Sequence, residues 1–174
     1  LGPDLIFDDF CAPPMFSTPA ENLAQRLIEE TINKHEKFLF VHPETHSSKR
    51  WSAEYFDAVL SAFLECCPEY RVVVCTRDAY ALRGHPRVHH LHPHLEVAMS
   101  LVGLADCFLG VDSCFLHAAD LYRIPGVALF GSTRSAHWGF RLAQPSVNID
   151  GDGDMSNIKP EEVLSALLKV APRA

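Results

Sequence analysis

Asp112-Ser113-Cys114-Phe115-Leu116-His117 crowds a carboxylate, a hydroxyl, a thiol and an imidazole into one short stretch. Apolar runs flank it, CFLGV (107–111) before and GVALF (126–130) after. Two chemistries fit these residue types. One is a Ser–His nucleophile pair, but the G-x-S-x-G elbow that exposes such a serine is absent. The other is a helix start: Asp112 or Ser113 caps it, and its unpaired first amides face an anion. His117 then falls one turn into the helix. A third option needs no ligand, a capped helix carrying a core histidine.

Two other stretches have the same character. His42-Pro43-Glu44-Thr45-His46-Ser47-Ser48-Lys49-Arg50-Trp51 offers hydroxyl donors and a point charge at Lys49 just before a helix, groups that suit a phosphate. The same loop also reads as a solvated connection with Trp51 as a packing anchor. Phe130-Gly131-Ser132-Thr133-Arg134-Ser135 combines a glycine that admits close backbone approach with several hydroxyls. Neither G-x-x-x-x-G-K-[ST] nor G-x-G-x-x-G occurs, so no P-loop and no nicotinamide or flavin fingerprint is present, and no cofactor is expected. His90, His92 and His94 alternate and would share a face in an extended segment. No carboxylate or thiol joins them at ligand spacing, and Pro93 interrupts the run, so no metal is expected.

Elements of alternating type must position these groups. Short apolar runs at 37–43, 70–76, 87–92, 107–111, 126–130 and 145–150 read as strands. Helical spacing fills most of the intervals, over about 52–66, 95–105, 113–123 and 160–170. Thr18-Pro19-Ala20-Glu21 has the form of a Thr cap, a first-turn Pro and a Glu three residues after the cap, opening a helix to about His35. Continuous apolar strands alternating with helices predict a parallel sheet covered on both faces, α/β and Rossmann-like, doubly wound and about six-stranded. Ligands in such sheets bind beyond the carboxyl ends of the strands. The exits at 42–51, 75–79, 92–94, 111–117 and 130–138 therefore matter most. Residues 1–17, Pro-rich and without periodicity, read as a linker, and 18–174 as one domain.

The 174 residues are 48% hydrophobic and 21% charged, enough for a sizeable core. A net charge of −7 with no Lys/Arg run excludes a nucleic-acid backbone or an anionic membrane as the expected partner. No apolar run reaches the ~18 residues of a membrane span, and no signal peptide is visible. Six cysteines occur without a C-x-x-C pair, and Cys75 and Cys107 sit inside strand-like runs. Reduced thiols and a cytoplasmic location are expected. The chain begins at Leu1 rather than Met and reads as a fragment or processed piece.

HPETHSSKRW together with LEVAMSLVGLADCFLGVDSCFLHAADLYRIPGVALFGST resembles the C-terminal half of family 9 glycosyltransferases, the ADP-heptose lipopolysaccharide heptosyltransferases. The likeness covers residues 37–139 well and is carried by Thr45, Lys49, Trp51, Asp112, Ser113, His117, Ala118, Ala119, Pro125, Phe130, Gly131 and Thr133. It implies one half of a GT-B architecture, with the nucleotide-diphospho-sugar donor held in this half. By resemblance, Lys49 neutralises donor phosphate, amides around Ser113 and Cys114 cradle the diphosphate or sugar, and Asp112 shapes the turn. His117 contacts the donor, Thr45 and Thr133 add hydroxyls, and Asp78 is the nearest candidate for an acidic ribose contact. The implied reaction is inverting transfer of a heptose-like sugar without a required metal. Its base is expected on an N-terminal acceptor domain or partner chain. Cys114 stands where the family has glycine. A non-catalytic nucleotide-binding or scaffolding domain is the alternative, and a sugar-nucleotide epimerase of the same fold a third.

Overall fold

The computed structural model describes residues 11–76 and 84–172. Six strands form one sheet: β1 (Lys37–His42), β2 (Tyr70–Cys75), β3 (Val88–Leu91), β4 (Cys107–Val111), β5 (Gly126–Phe130) and β6 (Ser146–Asp150). All pairings are parallel, in the order β3-β2-β1-β4-β5-β6. The chain winds outward from β1 to β3, then crosses back to lay β4 beside β1. The switch point therefore lies between β1 and β4, where His42 is level with Gly110.

The helices are α1 (Thr18–Thr31), α2 (Ala53–Cys66), α3 (Leu95–Gly103), α4 (Cys114–Leu121), α5 (Ser135–Trp138) and α6 (Pro160–Val170). Alternate residues of each strand feed two cores. Leu39, Val41, Val72, Val74, Leu109 and Leu129 pack with α2 and α6. Phe38, Phe40, Val73, Phe108, Ala128 and Phe130 pack with α1, α3 and α4. The strands are therefore apolar on both faces and read as continuous runs. A Cβ on Gly110 would lie 2.6 Å from the Phe108 ring of the same strand and 3.0 Å from the His42 carbonyl of β1, so a bare position suits the close approach of β4 to β1 here.

Several boundaries differ from the sequence reading. The cap position of α1 is Ser17, not Thr18, and the Ser17 hydroxyl donates to Glu96 at 2.9 Å rather than to its own helix. The helix stops at Thr31, short of His35. Ile32 turns extended to bury its side chain, and Glu36 accepts from the backbone and side-chain nitrogens of Asn33 to close the turn into β1. The helix expected over 113–123 is Cys114–Leu121, ended by a left-handed Arg123 at φ 62°. Within the stretch expected as a loop, Ser135–Trp138 is helical, because Asp150 accepts from the Ser135 amide at 2.9 Å and from its hydroxyl. All six cysteines are free thiols. Burial pushes the Cys75 thiol up to about 12 and raises the Cys107 thiol as well, as befits small hydrophobes in a core.

Candidate functional site

The site is built around Asp112, the first residue past β4 and only 6% exposed. One carboxylate oxygen accepts from Lys49 Nζ and from Thr133 Oγ1, each at 2.7 Å. The Asp112 carbonyl accepts from Thr45 Oγ1 at 3.2 Å. Ser48 Oγ and Ser132 Oγ are a further 3.4 Å apart. The exits of β1, β4 and β5 are thus tied together by side chains at the switch point. The Lys49 side chain remains 27% exposed. Its ammonium has three donors, so the bond to Asp112 leaves capacity for a ligand oxygen. Trp51, by contrast, is the packing anchor: it is 1% exposed and donates from its indole nitrogen to the Ile158 carbonyl at 3.1 Å.

Ser113 occupies the cap position of α4 with extended backbone and makes no side-chain cap bond. Asp112 does not cap the helix through its carboxylate either, because Lys49 and Thr133 hold it. The Leu116 amide bonds back to the Ser113 carbonyl at 3.2 Å, while the Cys114 and Phe115 amides ahead of it have no carbonyl within the helix to meet and add the positive end of the helix dipole to the mouth. Ser113 Oγ is buried and has no hydrogen-bond partner among the described residues. Cys114, the first helical residue, is exposed. His117 lies one turn further along α4, exposed, with its ring 6.1 Å from that of Trp138 on α5.

A cavity of about 620 Å³ opens on the β1–β2–β3 side of this mouth. Leu91, Pro93, Leu95, Ala98 and Phe115 supply apolar wall, and His42, Glu44, Thr45, Thr76, His92 and His94 supply polar wall. Cys114 reaches its rim. His42 is anchored by its Nδ1, 2.7 Å from the Cys75 carbonyl, and its ring packs 3.9 Å from that of Phe115. Burial pushes the His42 imidazole below its ordinary value, against the opposing pull of the Cys75 carbonyl and the Glu44 charge. Thr76 Oγ1 donates to Glu44 Oε2 at 2.9 Å. A second, more polar hollow of about 480 Å³ lies on the other flank, between Ser132–Arg134 after β5 and Asp150, Asp152 and Gly153 at the end of β6.

Of the sequence-derived candidates, the fold therefore brings Thr45, Lys49, Asp112, Ser113, Cys114 and Thr133 together, with the hydroxyl protons of Thr45 and Thr133 engaged by Asp112. His117 sits to one side on Trp138, and Asp78 lies outside the described residues. His90 is in β3, while His92 and His94 line the cavity, so the alternating histidines do not act as one set. No cluster of metal-ligating side chains occurs among the described residues. Sequence reading missed Glu44 and Thr76. Both lie in exit loops it had marked, but their pairing crosses from one strand exit to the next.

The strand order, with its switch point between β1 and β4, defines a Rossmann-like α/β domain. Solved structures share the fold across most of the chain. The glycosyl transferase family 9 protein from Veillonella parvula DSM 2008 matches with a TM-score of 0.73 at 17% identity, over 90% of this chain and 53% of its own. ADP-heptose lps heptosyltransferase II of E. coli matches with a TM-score of 0.70 at 17% identity, over 90% and 52%. E. coli heptosyltransferase WaaC, solved with ADP, matches with a TM-score of 0.65 at 18% identity, over 82% and 47%. The domain has the architecture of one half of a GT-B glycosyltransferase, and the chain spans about half the length of these structures. The model of glycosyltransferase family 9 (heptosyltransferase) matches residues 8–157, and the chain belongs to that family. None of the curated proteins compared matches it. No helix among the described residues is long and apolar enough to cross a membrane.

Proposed function

We propose that this chain is the donor-binding half of an inverting GT-B glycosyltransferase that takes a heptose-like sugar from a nucleotide diphosphate. The observation that carries the reading is the mouth itself. Lys49, the first amides of α4 and the partnerless Ser113 hydroxyl converge beside a cavity of nucleoside size. A buried hydroxyl without a partner is destabilising until a ligand oxygen accepts from it. Family membership and the shared fold support the same reading.

In this scheme the diphosphate rests on the start of α4, the nucleoside fills the cavity walled by Leu91, Pro93 and Phe115, and the sugar faces the acceptor. An acceptor hydroxyl attacks the anomeric carbon as the bond to the diphosphate oxygen breaks. The hydroxyl proton passes to a base on an N-terminal half or partner chain. Lys49 and the helix amides take up the charge that develops on the leaving diphosphate. Because Asp112 already holds Lys49, the local field owes more to aligned amides than to an uncompensated cation.

The test is calorimetric titration of the chain with ADP-, UDP-, GDP- and dTDP-sugars, followed by an assay of transfer. Binding of an ADP-sugar with no turnover by the chain alone is expected. Silence across the panel overturns the donor reading in favour of a scaffolding role. Turnover by the chain alone overturns the assignment of the base to another half.

A further inference from the structure

The short helix α5, Ser135–Trp138, buries none of its own residues, so the core gains little from it. It is nevertheless held from several sides. Asp150, at the end of β6, accepts from the Ser135 amide at 2.9 Å and from its hydroxyl. Arg141 Nη2 donates to the Ala136 carbonyl. Just past the helix, Asn148 of β6 accepts from the Phe140 amide at 2.9 Å and lies so close to Gly139 that a Cβ there would meet it at 2.6 Å. What this pedestal presents is Trp138, 52% exposed and the one exposed Phe, Tyr or Trp ring among the described residues. His117 of α4 stands beside it, ring centres 6.1 Å apart and planes tilted by 56°. Half of the indole residue thus stays in solvent next to two exposed imidazoles, His117 and His137.

We propose that Trp138 is a platform on which a sugar ring stacks, with the His117 and His137 imidazoles meeting its hydroxyls. This rests on the donor-binding reading above and adds to it a residue on α5, outside the Asp112 mouth. A pyranose ring has a flat face of C–H groups and a rim of hydroxyls. The indole offers the first a broad apolar face. The imidazoles suit the second, because a neutral ring both donates and accepts. An aromatic wall with a few polar groups at its edge is the usual make-up of a small-ligand site. The sheet order says where such a ring would lie. A nucleotide-diphospho-sugar runs from nucleoside to diphosphate to sugar. With the nucleoside in the cavity on the β1–β3 side and the diphosphate at the start of α4, the ligand leaves the mouth on the β5 side, where α5 stands. The ring over Trp138 is then the donor's own or that of an acceptor lying against it.

The two tryptophans make the test direct, because Trp51 is 1% exposed and tied to the Ile158 carbonyl while Trp138 is open. Indole N–H signals are followed by NMR as the chain is titrated with ADP, with ADP-heptose, and, once loaded with ADP, with methyl heptoside. The Trp138 signal should move saturably with ADP-heptose or with methyl heptoside, and much less with ADP alone, while the Trp51 signal stays in place. A response to ADP-heptose assigns the ring to the donor, and a response to methyl heptoside assigns it to the acceptor. Trp138→Ala should weaken whichever of the two responds by about three- to tenfold relative to ADP, and Trp138→Phe should restore most of that loss. A chain that binds ADP but whose Trp138 signal answers neither sugar overturns the platform and leaves the donor reading standing. A Trp138→Ala loss shared equally by ADP and the sugar ligand does the same. Failure of the unaltered chain to bind ADP or ADP-heptose overturns both.

Discussion

Asp112 and Asp120 belong to one strand–loop–helix unit and are buried alike, at 6% and 9% exposure. Their partners differ in kind. Asp120 accepts from three consecutive backbone amides, Arg141 at 3.1 Å and Leu142 and Ala143 each at 2.8 Å. It staples the segment after α5 onto α4 and offers nothing to a ligand. Asp112 accepts from side chains, Lys49 and Thr133, and those side chains stand at the mouth. Backbone partners cannot leave without unfolding the segment that carries them. A lysine can turn one of its protons to a phosphate and keep another on the carboxylate. Two aspartates of similar burial thus have different tasks, told apart by what donates to them.

The largest expected effect follows on the Asp120 side. Asp120→Ala leaves buried amides without an acceptor and should destabilise the chain by about 3 kcal/mol. For a chain of this size that lowers Tm by roughly 6–12 °C, measurable by thermal and urea unfolding. Nucleotide affinity measured well below Tm should be unchanged. The Asp112 side should reverse the pattern. Lys49→Met removes the charge and keeps most of the stem, so nucleoside diphosphate affinity should fall roughly tenfold or more. Stability should fall by only about 1 kcal/mol, because the lysine is partly solvated. If Lys49→Met unfolds the chain as Asp120→Ala does and spares affinity, Asp112 is a structural staple too and the distinction fails.

This difference was only half legible in the sequence. The sheet was readable because strands buried on both faces, such as CFLGV and GVALF, leave unbroken apolar runs. The mouth was readable because polar residues directly after such runs converge wherever parallel strands end together. What failed were features whose cause lies far along the chain. The amides that Asp120 accepts from lie 21–23 residues on, and a backbone amide has no side-chain signature. The four-residue helix α5 depends on Asp150, 15 residues after its first residue. Glu44 and Thr76 meet only because β1 and β2 pair in register, from Lys37 opposite Tyr70 to Val41 opposite Val74, so that their exits emerge side by side.

Cys114 sharpens the functional side of the comparison. Its side chain lies on the cavity rim at the first position of α4, where the resemblance leads one to expect a bare backbone. Cys114→Gly should reduce stability by less than about 1 kcal/mol at a helix terminus. It should raise diphosphate affinity a few-fold by letting the ligand approach the amides more closely. Unchanged affinity in titration would mean that the ligand passes Cys114 at a distance and that Lys49, rather than the amides, dominates binding.

The smallest effect supplies a control, a carboxylate with a charged partner that has no part in the mouth. Glu36 sits just before β1, at the opposite edge of the sheet from Lys49, and receives Nε and Nη2 of Arg71 at 2.8 and 2.5 Å. The guanidinium holds its carboxyl down from 4.5 to about 2. A carboxyl lowered in the folded state stabilises the fold above its unfolded value, and that stability disappears as pH falls from 4.5 towards 2. Both side chains are about one-fifth exposed, at 21% and 23%, so solvent screens the pair. Its worth is then about 1 kcal/mol or less. Glu36→Gln should accordingly flatten the acid limb of a stability–pH curve and lower stability slightly at pH 7, with no change in nucleotide affinity. An affinity change would mean that altering one end of β1 moves the loop at the other, and that Asp112 and Lys49 report on the sheet as well as on the ligand.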